Sequence, residues 1–482
     1  MIYCERPKLF QSLKNLKIFN LPSRSQLNRL KNKEYWHAPG SNEQYIAEMA
    51  GKYWEQQNLR KIKGHGDGIL VGDELKVIGK LTWNSKNHEI VGCASDSDTL
   101  ASLYSIFKKN EGSKSALPGE FVFQLVWRDL AGKFDVLAGY WLFAGTIKSH
   151  EVVSCVMEGI RTFSAYGLNV LGIVLDGASS NLSAFKSLSS ASQFNPSVAQ
   201  VPASFKNPFC PEIDIALIPC PSHGLKNIIN ALHSSTETGP KLFKLPNNSV
   251  TFGWKVIKDL YERDIERRDA GLARLVRDLE KSYIVRDSWT KLSVHPAKVM
   301  QKEHVIAALK DYRDNCLNLK ESEEVDATIQ YLEAANLIFE NGLLSHTPIY
   351  NINSPPIINM KKGLDFFVWW RCELEKSGNF SKKNCLSWQT YDILRLSISG
   401  FIKLVEIFFS RRCLDEHHFI LPHRINGSCV ETIFSQIRQN TPCGKVFSNT
   451  YPATLQKMQI KKSYMCASNV VDEYRNAETN FH

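Results

Sequence analysis

The 482-residue sequence predicts an α/β chain: a mixed sheet with flanking helices, interrupted by a mostly α-helical insertion. Three features carry this reading. Residues 65–127 hold apolar runs of strand length, GILVGDELKVIGKLTW, EIVGCAS and FVFQLVW. Two short and almost wholly apolar runs follow, LNVLGIVL and IDIALIP, as expected of strands buried on both faces. From about Asn248 to Pro422 the pattern becomes helical over long stretches.

Taken in order, residues 1–64 form a basic lead segment with a loosely helical pattern through Leu13, Leu16, Ile18, Leu27 and Leu30, an arm or helix pair rather than a domain. The three runs that follow predict three adjacent antiparallel strands, the first two joined by the turn residues NSKN. Val153, Val156, Ile160 and Phe163 recur at helical spacing, and Gly167 follows as a cap. The strand LNVLGIVL then completes a strand–helix–strand crossover. IDIALIP leads into SHGLKNIINAL, a further strand and helix. Three strands, a helix, a strand, a loop, a strand and a helix is an order that resembles the RNase H-like fold. Residues 65–247 are its first part and 423–445 its last helix. Residues 248–422 are the helical insertion, with SHTPIYNINSPPIINMKK as a loop inside it, and 446–482 form a C-terminal tail.

Bulk properties bound the function. An apolar fraction of 43% with 11% aromatic residues belongs to a globular chain and excludes a disordered one. The formal charge is +10, and residues 1–64 hold twelve Lys or Arg against five Glu and no Asp. Such a surface attracts phosphate backbones through counterion release, so DNA or RNA is the first partner to consider beside a merely solvated basic face. The twelve cysteines are scattered without a CxxC pair, which suits a reducing compartment. No secretory h-region opens the chain and no apolar run nears the ~18 residues of a membrane span, so a nuclear or cytosolic location is expected.

Three carboxylates stand out. Asp73 lies in the apolar strand ILVGDELKV, where alternation places it with Val71 and Leu75 and turns Glu74 away. A buried charge there needs a cation or solvent, and the competing reading is a structural Asp at a strand end. Asp176 ends the strand VLGIVL and opens DGASSN, where ligands bind in open α/β sheets; alternatively it forms an Asx turn or a helix cap. Asn181, five residues on, is either a further polar contact or a loop residue, and the latter reading is the stronger. Glu431 sits in a helix whose stripe is Val430, Ile433, Phe434 and Ile437, and Ser428 with Glu431 also spells a capping box. Three carboxylates on one rim would suit two Mg²⁺ (or Mn²⁺) ions and phosphoryl chemistry.

On these residues the sequence resembles the P-element and THAP-associated transposases. VGDELKVIGKLTWNSKNHEIVG is similar to the family's opening block, GLNVLGIVLDGASSN to its second, and GSCVETIFSQIRQ to the block carrying its third acid. LPSRSQLNRL and TFGWKVIKDLYERD also look like family sequence, so the similarity runs over most of residues 20–440. The resemblance implies catalytic and metal-binding roles for Asp73, Asp176 and Glu431, DNA as partner, assembly of copies on DNA ends, and a helical insertion of GTP-binding type. No glycine-rich phosphate loop stands in residues 248–422, so no nucleotide residue is assigned.

There are departures. Where the family carries Asp-Pro-Pro-His this chain has Cys220-Pro221-Ser222-His223, followed by Lys226. His223 either touches the scissile phosphate or caps its helix, the latter being the stronger reading. Cys220 and His223 have metal-like spacing, yet no cysteine pair stands near to complete a zinc site. Only Cys4 precedes residue 73, so the ligands of an amino-terminal THAP zinc finger are missing, as in a truncated or host-recruited copy. Two functions follow: a metal-dependent transposase that cuts DNA and transfers strands, and a transposase-derived nucleic-acid-binding protein without catalysis. Presence of all three acids favours the first.

Overall fold

A computed structural model describes residues 39–468, except 59–64, 86–87, 96–116, 190–201, 247–249, 288–289, 292, 316–317, 379 and 413–417. The lead-segment pattern around Leu13 to Leu30 lies outside the described residues. The strands are β1 (Gly40–Ser41), β2 (Asp67–Lys76), β3 (Thr82–Asn84), β4 (Glu89–Val91), β5 (Phe121–Asp129), β6 (Asp135–Phe143), β7 (Asn169–Leu175), β8 (Ser204–Lys206) and β9 (Asp214–Pro219), with the short β10 (Phe243–Lys244) and β11 (Thr251–Phe252). Seven of them make one mixed sheet in the order β1-β6-β5-β2-β7-β9-β8.

The antiparallel three-strand array is present, but its members are β2, β5 and β6. EIVGCAS contributes only β4, which pairs with β3 in a separate two-stranded sheet. β3 is largely exposed, with Trp83 51% accessible, and β4 is half-buried up to buried Val91, so neither is covered on both faces as a central strand is. The strand that sequence reasoning misses is DVLAGYWLF, because eight of its nine residues are buried and no alternation survives.

The chain divides into two compact units, residues 1–173, 206–213 and 428–482, and residues 174–205 and 214–427. In the first, α1 (Glu43–Asn58) buries Tyr45, Ile46, Met49 and Tyr53. The Tyr53 ring meets Trp127 edge-on at 5.8 Å and Phe134 at 5.3 Å, so the described end of the basic lead segment is part of this core. Helix α2 (Ser149–Ala165) buries Val152, Val156, Ile160 and Phe163, one position off the expected stripe at its start. Gly167, at φ +73°, ends it: the Leu168 N–H turns back to the Phe163 carbonyl at 3.0 Å.

The second unit contains α3 (Ser179–Ser189), α4 (Pro221–His233), α5 (Trp254–Asp269), α6 (His295–Met300), α7 (Glu303–Asp314), α8 (Leu319–Ile338), α9 (Pro355–Lys376) and α10 (Trp388–Ser410). The expected loop SHTPIYNINSPPIINMKK gives way to α9 at Pro355, because Ser354 is the cap residue and proline fits the first helical turn. Conversely, the long helical pattern after Thr251 stops at Asp269, and the chain turns at Gly271, φ +80°. Buried Asp264 holds that turn by accepting from Arg274 Nε at 2.7 Å and from the Leu275 N–H at 2.6 Å. Phe243, Phe252, Tyr331, Phe367 and Trp370 build one aromatic cluster, and the Tyr331 hydroxyl donates to the Ile228 carbonyl at 2.8 Å.

Helix α10 lies directly on β9. Ser397 Oγ donates to the Pro219 carbonyl at 3.1 Å, and a methyl group at Gly400 would stand 2.0 Å from the Leu217 carbonyl oxygen. Gly400→Ala is therefore expected to lower stability by about 1–3 kcal/mol through overpacking, read as a reduced urea midpoint; an unchanged midpoint would contradict this close approach.

His233, edge-on to Trp254 at 4.8 Å, is pushed down to about 4, first by burial and then by Arg286 and Lys291. The unfolded imidazole titrates near 6.5, so it takes up its proton first as the solution is acidified. Stability from this group is complete above about pH 6.5 and declines as pH falls toward about 4. The urea midpoint should drop across that window, and His233→Gln should flatten the drop; an identical slope in the variant would exclude His233 as its source.

Candidate functional site

Asp73 occupies the point where β2 emerges from the core. Every residue from Asp67 to Gly72 is buried, whereas Asp73 and Glu74 are half-buried. Asp73 Oδ1 accepts the Glu74 N–H at 2.8 Å. Its antiparallel partner on β5 is Gln124, and directly opposed residues project to the same face of a sheet.

That face is defined by a buried amide. Gln124 is fully buried; its Nε2 donates to the Gly139 carbonyl at 2.7 Å and the Leu125 carbonyl at 2.9 Å. Both carbonyls sit where the β5–β6 register shifts at Leu125/Val126, so the side chain bonds to the backbone at the bulge. Gln124 Oε1 accepts from the Tyr451 hydroxyl at 2.9 Å. Tyr451 opens α12 (Tyr451–Ser468), and burial holds its phenol far above the ordinary value, so it remains a proton donor. Sequence reasoning gives no sign of this pair, whose members stand far apart in the chain.

Glu431 lies in the first turn of α11 (Ser428–Gln439), which buries Val430, Ile433, Phe434 and Ile437 as its spacing predicts. Helix α11 packs on β2 and β5 and also meets α12. Helix α12 is in turn bonded to Gln124, the strand partner of Asp73. Asp73 and Glu431 thus belong to elements that pack together within the first unit. Glu431 is exposed and, among the described residues, has no hydrogen-bond or ion-pair partner; the capping-box bond back to the Ser428 N–H is not formed. Burial pushes the neighbouring Cys429 thiol up to about 11, which removes it as a thiolate nucleophile.

Asp176 belongs to the second unit. Its Oδ1 accepts the Ala178 N–H at 2.9 Å, an Asx turn, and Asn181 Nδ2 at 2.6 Å. Asn181 is 1% exposed, so it is a fixed side chain that orients the carboxylate and not a loop residue. Asn181 takes this role because it stands in the first turn of α3, where the helix turns back over the strand end.

The same unit places Cys220 at the N-cap of α4 with no side-chain capping bond, Pro221 following it. His223 is therefore two residues inside the helix and is not its cap; His223 and Lys226 are both half-buried. The Cys220 N–H donates to the Leu175 carbonyl at 2.7 Å, tying the entry of α4 to the strand end beside Asp176. Cys220 Sγ accepts the Gly427 N–H at 3.2 Å, so this thiol is a packed acceptor. Among the described residues no three His, Cys, Asp or Glu side chains are drawn together tightly enough to hold a metal ion.

The mixed sheet carries Asp73 in its central strand, and Asp176 directly follows β7. Residues 37–189 match the family described as TNP-like, RNase H N-terminal domain, a segment that includes Asp73, Asp176 and Asn181. The fold as a whole is that of a P-element transposase: it is similar to a solved structure of the Drosophila P element transposase strand transfer complex, with a TM-score of 0.68 at 15% identity, over 97% of this chain and 90% of that one. No curated protein matches the sequence.

Tyr451→Phe should leave Gln124 Oε1 buried without its donor and cost about 1–3 kcal/mol, measured by denaturant unfolding. Wild-type stability in the variant would show that the Gln124 amide does not fix this face.

Proposed function

We propose that this chain is the catalytic body of a DNA transposase that cuts phosphodiesters and joins the exposed 3′-hydroxyl to a target, with Asp73, Asp176 and Glu431 as its catalytic and metal-binding acids. What supports the reading is Asp73 in β2 and the packing of the helix that carries Glu431, α11, on β2 and β5, in a domain whose match to the TNP-like RNase H family spans Asp73 and Asp176. Asp176 is supported by its place directly after the buried strand β7, within the family-matched segment 37–189. DNA as the partner is supported by the similar structure, a strand transfer complex, and by the net charge of +10. A nuclear location follows from that partner, and no helix among the described residues is long and apolar enough to cross a membrane.

The donor set fits a divalent cation. Three carboxylates supply only oxygen, the ligand that Mg²⁺ or Mn²⁺ takes, and no sulfur or imidazole is needed. When bound, such ions would activate the attacking water or 3′-hydroxyl and stabilise the departing oxygen. The protein's own part is orientation. Asn181 and the Ala178 N–H hold one oxygen of Asp176, which fixes the direction of the other. Glu431 enters the site from an exposed first helical turn, where the helix dipole favours negative charge. Asp73 is aimed by a strand whose facing partner is locked by the Gln124 amide.

Plasmid nicking and joining in Mg²⁺ or Mn²⁺ tests the proposal. Asp73→Asn, Asp176→Asn and Glu431→Gln should each lower the rate by at least about 100-fold while DNA affinity stays at the wild-type level. Asn181→Ala, which leaves the acids in place, should cost about 10–100-fold. DNA binding without any metal-dependent cleavage by the wild-type chain would instead establish a non-catalytic binding protein.

A further inference from the structure

The second unit contains a cavity of about 420 Å³ between α3 and α10, within the usual range for a small-ligand or nucleotide site. Its floor is apolar, formed by Leu182, Ile393 and Leu396. Its rim carries Lys186 from α3 and Arg395 from α10, together with Trp388, which stands 55% exposed at the first residue of α10. Among the described residues neither Lys186 nor Arg395 is in a salt bridge, although the half-buried carboxyl of Asp392 lines the same cavity. Arg395 lies over the Tyr391 ring, 5.6 Å from its centroid, and both cations act on the Asp392 carboxyl through space without an ion-pair contact.

Two cations outside any ion pair of the described residues, beside an exposed indole, are what a single nucleic-acid strand requires. The cations meet successive phosphates, and the indole offers a stacking face for a base of any identity. The place of the cavity narrows the ligand further. Ser179, which lines it, follows Asp176 by three positions, and the Asx turn of Asp176 leads directly into α3. A free nucleoside polyphosphate fits less well, because the turn DGAS has one glycine and no phosphate-cradling loop, and the two cations come from separate helices. We infer that the groove between α3 and α10 binds an unpaired DNA strand next to the scissile phosphate, with Lys186 and Arg395 on its backbone and a base stacked on Trp388. This deepens the transposase reading and rests on Asp176 belonging to the cutting site.

The test uses the full chain with a labelled single-stranded oligonucleotide in EDTA, so that binding is read without cleavage. Lys186→Glu with Arg395→Glu should weaken binding by more than about tenfold and lower the slope of log affinity against log salt by about 1.4, near 0.7 for each phosphate that is no longer neutralised. Trp388→Ala should weaken binding by about tenfold. An oligonucleotide carrying 5-iododeoxyuridine should photocrosslink to Trp388, as mapped by mass spectrometry. Unchanged affinity in the double variant, crosslinks confined to other segments, or displacement of the strand by an equal concentration of free nucleotide would each overturn the inference. The two proposals fail separately. Pocket variants that bind normally, in a chain that still joins DNA, reject the strand groove and keep the catalytic reading. An inert wild type whose strand binding depends on these residues rejects catalysis and keeps the groove.

Discussion

A carboxamide buried in the middle of a sheet is costly unless all its donors and acceptors are met, and Gln124 meets them with two bulge carbonyls and the Tyr451 hydroxyl. That satisfaction has a geometric result. It locks the register irregularity between β5 and β6 and fastens α12 to one face of the sheet. Helix α11 packs on α12 and on β2 and β5. Asp73 stands directly opposite Gln124. One polar network thus joins the strand opposite Asp73 to the helix that α11 packs on.

The second unit solves the equivalent problem locally. Asp176 follows a strand whose residues are buried, and its first free residues form an Asx turn that starts α3. Asn181 then returns from the helix to the same carboxylate oxygen. A short segment therefore supplies both the acid and its positioning residue, and leaves the far side of α3 to line the groove with α10. Gly400 lets the same helix α10 approach β9 closely.

Much of this is legible in the sequence, for identifiable reasons. The stripe Val430, Ile433, Phe434 and Ile437 marks the buried side of α11, and the apolar run before Asp176 locates β7, because periodicity reports burial directly. DVLAGYWLF escapes for the complementary reason: burial on both faces erases the alternation that marks a strand. SPPIINMKK reads as a loop because proline breaks helices in their interior, yet at the first turn it starts them. Asn181 is visible as a candidate, but only its burial distinguishes a positioning residue from a loop residue. Gln124 and Tyr451 carry no signal at all, since a long-range hydrogen bond leaves no pattern in either segment. The groove is equally hidden, because its cations and its tryptophan come from segments that only the fold joins.

The central claim is that Asp73, Asp176 and Glu431 share divalent cations, and anomalous scattering from Mn²⁺ in crystals of this chain bound to cleaved DNA tests it most directly. Manganese peaks within coordination distance of oxygens from all three acids are the result this account requires. Manganese held elsewhere, or by Asp73 and Asp176 with Glu431 remote in solvent, would contradict it.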